Sequence, residues 1–228
     1  MAFLEYSRYF FYIASNWNLR IALHIIQQEI RGEKKYGVHT TGADELQSLE
    51  EKGIDIGHAT IYMPVSYDVL EDVLHFCNPA SFNHFIDIGC GKGRAMAVAA
   101  HLGAKKLTGI DFSKSFCEAA RVNLENIQQQ YKHFKFKILN NDAFYFDIPA
   151  DADCIFMFNP FDDVIMSAVV ENIETSLEEN PRHIRIIYAN PMQKQLFLEA
   201  GYQQTYHTKK MKYLEAIVLE KGAKKNNQ

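Results

Sequence analysis

The chain has 228 residues, with 24 Lys and Arg against 28 Asp and Glu, giving a formal net charge of −4. That length allows one domain with an ample core and an extension, and the slight acidic excess excludes a global basic field for nucleic acid. Hydrophobic content is ordinary for a globular protein, and Cys77, Cys90, Cys117 and Cys154 lack zinc-ligand or Cys-x-x-Cys spacing, so they read as buried free thiols of a reducing compartment.

Residues 3–30 carry Trp17, Ile21, Leu23, Ile25 and Ile26 at helical spacing and predict one helix. Its polar face is poor in Lys and Arg. Packing on the main domain, or on a second copy as a homodimer, is therefore expected in place of a membrane surface. Glu5 and Arg8 interrupt any early apolar run, and residues 9–13 are too short to span a bilayer. A cytoplasmic chain without membrane contact is expected. Gly32 and Gly37 mark a helix end. Residues 40–58, with few apolar positions, read as a loop and a candidate substrate lid. Pro64 is expected to open a helix through Val69, Leu70, Val73 and Leu74, ended by Asn78 and Pro79.

From Phe85 onward strands and helices alternate. Strands are predicted from Phe85 to the acid Asp87, and at 107–111, 135–139, 154–158 and 184–188. Helices are predicted at 115–130, 165–177 and 193–199, with a further small-residue helix starting at Ala95. The run 154–158 is unbroken in apolar residues and suits a strand buried on both faces. Lys132, Lys135 and Lys137 read as one solvated basic face of the third strand. Two closing strands, 202–208 and 213–220, are too close for a crossover helix and should pair antiparallel. The fold class is therefore α/β: a doubly wound, mainly parallel seven-stranded sheet with a C-terminal antiparallel hairpin and an N-terminal helical extension. The expected divisions are an extension and lid at 1–60, the main domain at 61–221 and a disordered tail at 222–228.

Ligands on such sheets bind at the carboxyl ends of the strands. Asp87 closes the first strand, and Gly89, Gly91 and Gly93 alternate after it, enclosing Cys90. Glycine permits tight turns and close backbone approach, and a helix N-terminus follows, so this is a nucleotide cradle. A dinucleotide fingerprint would need glycine at position 94, which is Arg. Asp111 ends the second strand, about twenty residues beyond the first glycine, where an acid can accept ribose hydroxyls. Its alternative role is an N-cap. Phe112 beside it can face a base. Asp142 and Ala143 follow the third strand, where a carboxylate and an amide can read a base edge. The alternative there is an ordinary turn. Asn159, Pro160 and Phe161 end the fourth strand, and their alternative is an Asn-Pro turn with a core phenylalanine. No metal site is expected. Lys92 and Arg94 either solvate the loop or meet an anionic end of the ligand.

The Asp-x-Gly-x-Gly-x-Gly pattern of residues 87–93 resembles motif I of the class I S-adenosylmethionine-dependent methyltransferases. With the later strand ends in order, the resemblance covers residues 82–220. It implies S-adenosyl-L-methionine as cofactor. The loop would hold the methionine end, Asp87 would hold the loop or the ammonium, Asp111 the ribose, and Asp142 with Ala143 the adenine. Asn159-Pro160-Phe161 resembles motif IV of amino-directed members, which implies Asn159 and Phe161 as catalytic residues at a nitrogen acceptor, with Asn159 also near the cofactor. It lacks that motif's second proline, so base methylation in nucleic acid is not implied. Residues 62–66 are similar to the segment before motif I in Rossmann-type protein lysine methyltransferases, which makes Tyr62 and Ser66 candidate pocket residues. The expected acceptor is a protein lysine or a small molecule. The alternative is a non-catalytic module that binds the cofactor or its product.

Overall fold

The computed structural model describes residues 2–42, 63–158 and 161–222. Residues 43–58 of the expected lid, Tyr62, Asn159 with Pro160, and residues 223–228 of the expected tail lie outside the described residues.

Two N-terminal helices replace the single one expected: α1 (Ala2–Asn16) and α2 (Leu19–Tyr36). Asn18 makes the break, because its side chain accepts the Ile21 N–H at 2.9 Å and caps a new helix. Tyr9, Ile13, Ile21, Ala22 and Ile25 form the apolar seam of this pair. The buried stripe of α2 then turns polar, with Glu29 and Glu33 replacing apolar residues one and two turns beyond Ile25. Gly37, at φ 68°, closes α2 in the left-handed conformation that favours glycine.

Helix α3 (Tyr67–Cys77) begins three residues after Pro64, not at it: Ser66 is the N-cap, and Asn78 at φ 54° ends the helix. Then follow β1 (Phe85–Ile88), α4 (Arg94–His101), β2 (Lys106–Asp111), α5 (Lys114–Gln130), β3 (Lys135–Asn140) and β4 (Cys154–Phe158). The chain ends with α6 (Asp163–Glu179), β5 (Ile184–Ala189), α7 (Lys194–Glu199), β6 (Gln203–Lys210) and β7 (Leu214–Lys221).

The seven strands are ordered β3-β2-β1-β4-β5-β7-β6. The first five are parallel, and β7 pairs antiparallel with both β5 and β6. The strand order reverses between β1 and β4, which places a ligand crevice at the carboxyl ends of β1, β2 and β4. Strand β3 is an edge, and Lys135 and Lys137 lie exposed on it. Two apolar layers sandwich the sheet. One packs α3, α4 and α5 on one face through Leu70, Phe85, Met96 and Leu107. The other packs α6 and α7 on the opposite face through Ile86, Ile155, Met166 and Tyr188. All four cysteines are buried free thiols.

Candidate functional site

The glycine loop leaves β1 with three left-handed turns, at φ 75° for Gly89, 50° for Gly91 and 83° for Gly93. L side chains rarely adopt such angles, so the alternating glycines are a backbone requirement. Gly93 also packs flat on α5: a Cβ there would lie 3.3 Å from that of Ala120. The loop secures itself with its own amides. Gly89 and Cys90 N–H both donate to Ile110 O at 2.9 Å, and Gly93 N–H donates to Cys90 O at 2.8 Å. Gly91 N–H donates to Asp111 Oδ2 at 2.8 Å. These four amides are therefore committed to the shape of the cradle. Gly89 is exposed at its mouth.

Asp111 is the keystone of this arrangement. Its Oδ1 accepts the Ser113 N–H at 2.9 Å, while Oδ2 braces the loop. The N-cap of α5 is Ser113, so the alternative capping role for Asp111 does not apply. Each carboxylate oxygen has a further lone pair for a ligand hydroxyl. Burial pushes the Asp111 carboxyl up to about 6, against the opposing pull of the Ser113 and Gly91 amides. Asn140 steadies the same strand end, its Nδ2 donating to Asp111 O at 3.0 Å and to Phe112 O at 2.7 Å. Phe112 is half-buried beside it.

Asp87 lies under the loop, level with Gly109 of β2 and Phe156 of β4. It is 2% exposed. Among the described residues none donates a hydrogen bond to its carboxylate. Burial, then the neighbouring Asp111 charge, hold its proton affinity well above the usual carboxylate range. A buried acid without a donor is costly, and a cationic ligand group would relieve that cost. Cys90 turns inward: its sulfur would sit 2.9 Å from a Cβ at Gly109, so only glycine fits there. Burial and then the Asp87 charge raise the thiol well above its usual range, which keeps it protonated and unreactive.

Asp142 is exposed beyond β3, and its Oδ1 accepts the Phe144 N–H at 2.9 Å. It caps the short 3-10 turn Ala143–Tyr145, in which Ala143 is buried. Turn and ligand roles are compatible, since Oδ2 is not used by the cap. Phe161 is 8% exposed and belongs to the core with Met157, Met166 and Tyr188. Ser66 is buried and donates to Asp68 Oδ1 at 2.5 Å. Asn159 and Tyr62, as noted, are not described. The structure therefore gathers Asp87, the three glycines and Asp111 around one crevice, places Asp142 and Ala143 at the adjoining strand end, and sets Phe161 in the apolar layer that also holds Ala143.

Sequence reasoning missed Asn123 and Glu29, and it left the roles of Lys92 and Arg94 open. Asn123 of α5 donates from Nδ2 to Lys92 O at 2.9 Å and to His39 O at 3.2 Å, and accepts the His39 N–H at 3.0 Å. Arg94 is 4% exposed and forms an ion pair with the fully buried Glu29. Arg94 is therefore unavailable to an anionic ligand. Lys92 Nζ donates to Thr41 O at 3.2 Å. The one readable signal was the ladder Ile21, Ile25, Glu29, Glu33, where acids continue an apolar stripe.

Residues 85–180 match the model of a family described as a methyltransferase domain. No curated protein matches the chain in sequence. Among solved structures, the chain is similar to a ribosomal protein L11 methylase from Lactobacillus delbrueckii subsp. bulgaricus, at 16% identity and a TM-score of 0.55, covering 75% of this chain and 84% of that one. It is similar to an RNA methyltransferase from Salinibacter ruber in complex with S-adenosyl-L-homocysteine, at 14% identity and a TM-score of 0.51, covering 73% and 98%. It is also similar to the O-MT segment of StiE, at 14% identity and a TM-score of 0.50, covering 68% and 72%. At these identities the likeness is one of fold.

Proposed function

We propose that this chain, of which residues 85–180 match a methyltransferase-domain family, is a class I, Rossmann-like methyltransferase that transfers a methyl group from S-adenosyl-L-methionine to a nitrogen nucleophile of a protein lysine or a small molecule. The carrying observation is the crevice itself: an uncompensated buried acid, Asp87, and a braced acid, Asp111, flank a left-handed glycine loop at the reversal of strand order. These residues fit the cofactor. Asp87 offers a carboxylate without a donor to an ammonium. Asp111 offers its remaining lone pairs to ribose hydroxyls. Gly89, with no Cβ at the mouth, lets the ligand backbone approach. Asp142 Oδ2 offers an acceptor to the adenine amino group.

When bound, S-adenosyl-L-methionine supplies an electrophilic methyl group that a lone pair displaces from sulfur, leaving S-adenosyl-L-homocysteine. The chain's own contribution is position and an electrostatic setting. The nitrogen acceptor is read from Asn159-Pro160-Phe161. In that reading an Asn oxygen and the Pro carbonyl accept hydrogen bonds from the target nitrogen and orient its lone pair. Phe161 lies mostly in the core.

Two measurements test the assignment. Isotope-labelled cofactor incubated with protein extracts and a panel of amines should deliver label to one acceptor class. Tight cofactor binding with no transfer to any acceptor would favour a non-catalytic sensing module. Asp111→Ala should weaken cofactor binding more than Asn159→Ala, and Asn159→Ala should lower turnover more. Equal effects on both quantities contradict the assigned roles.

A further inference from the structure

The first residue of α4, Arg94, is a buried cation placed at a helix N-terminus, where the helix dipole opposes positive charge. Such a residue requires strong compensation, and it receives it from the N-terminal helices. Arg94 Nη1 donates to Glu29 Oε1 at 2.7 Å and to Val65 O at 2.7 Å, and Nη2 donates to Glu29 Oε2. Its Nε donates to Thr40 Oγ1 at 2.8 Å, and its guanidinium stands 4.1 Å above the Tyr67 ring. Glu29 also accepts the Thr41 hydroxyl at 2.5 Å.

The chain that follows α2 is held with equal care. Glu33 Oε1 accepts the Thr40 N–H at 2.5 Å and the Thr41 N–H at 2.7 Å. Thr41 O receives Lys92 Nζ, and Asn123 joins the backbone of His39 to that of Lys92. Residues 39–42 are thus laid along the end of the glycine loop at Lys92 and Arg94. A buried ion pair is weak support for stability alone, since apolar residues of similar volume serve a core as well. A forked pair with directional bonds to three separate segments fixes placement instead.

We propose that Glu29 and Arg94 are positioning residues for cofactor binding: they clamp residues 39–42 beside the glycine loop, so that the N-terminal helices form part of the cofactor site. This rests on the reading of the glycine loop as that site. The two residues touch no ligand in this account. They act by fixing the loop and the wall next to it.

The test uses the full chain and S-adenosyl-L-homocysteine as probe. The double variant Glu29→Leu/Arg94→Met replaces the ion pair with an apolar pair that preserves the packing but not the bonds to Thr40 and Val65. Its unfolding midpoint should stay near that of the unmodified chain, while its affinity for the probe falls about tenfold or more. Amide exchange at residues 89–94 should accelerate in it. Thr40→Val should weaken the probe about fivefold and Thr40→Ser should restore it, because the two differ in the hydroxyl that receives Arg94 Nε and pairs with the Tyr67 hydroxyl at 3.1 Å. A folded double variant with unchanged affinity and unchanged exchange overturns the proposal. If the double variant fails to fold, the Thr40 pair decides, and equal affinity of Thr40→Val and Thr40→Ser overturns it. Failure of the unmodified chain to bind the probe overturns the cofactor reading itself, and this inference with it.

Discussion

Burial raises the proton affinity of Asp111, and the Gly91 and Ser113 amides oppose it, leaving the carboxyl at about 6. The folded value thus lies above the ordinary carboxylate value of about 4. Between those two values the folded chain binds more protons at this group than the unfolded chain does, so the contribution of Asp111 to stability is most favourable below about 4 and is lost as pH rises through about 6. Ligand affinity should move the opposite way, because only the ionised carboxylate accepts two hydroxyls. Calorimetry should show affinity for S-adenosyl-L-homocysteine falling roughly tenfold from pH 7 to pH 5. Asp87 shares the site and its charge, so the profile belongs to the pair. Asp111→Asn should be weaker throughout and flatten it, and a flat profile in the unmodified chain contradicts the assignment. Gly109 gives a second test. A Cβ there would meet Met96 Sδ at 2.6 Å and Cys90 Sγ at 2.9 Å. Gly109→Ala should cost about 1–3 kcal/mol in urea unfolding and weaken cofactor binding by displacing Cys90. Asp87, the glycines and Asp111 were legible because each sits at the end of a strand, where a local pattern fixes the position.

At the scale of elements, strands β1 to β5 were readable from apolar runs, and β4 matched to its ends because both faces are buried. The N-terminal helix was misread as one because Asn18 works as a cap only in three dimensions. The Glu29–Arg94 pair spans 65 positions and depends on how α2 docks, so no local pattern could announce it. Helix α2 docks through Gly32, where a Cβ would lie 2.2 Å from the Tyr67 ring. Alanine is the better helix former by about 1 kcal/mol, yet Gly32→Ala should destabilise by about 1–3 kcal/mol. The ring it displaces lies under Arg94 and stacks on Tyr36 at 5.7 Å. A more stable Gly32→Ala protein would show that α2 is not seated as described.

For the whole molecule, the family match spans residues 85–180, which hold β1 to β4 and the loop. The N-terminal helices and the C-terminal strands lie outside that span, yet α2 reaches the loop through Glu29. Among the described residues no helix is long and apolar enough to cross a membrane. The four thiols are buried, with Cys77 and Cys117 pushed by burial up to about 12 and about 11. A thiol reagent at pH 8 should therefore react slowly with the native chain and with all four cysteines once it is unfolded. Rapid labelling of the native chain would contradict the packing.

The most direct measurement titrates S-adenosyl-L-homocysteine calorimetrically into the full chain and into Asp111→Ala, with each unfolding midpoint recorded. One site should fill in the unmodified chain. Affinity should drop about tenfold or more in Asp111→Ala, with the chain still folded and its midpoint lower by several degrees because the Gly91 and Ser113 amides lose their acceptor. No binding to the unmodified chain, with thermal stabilisation by NAD instead, would contradict the account.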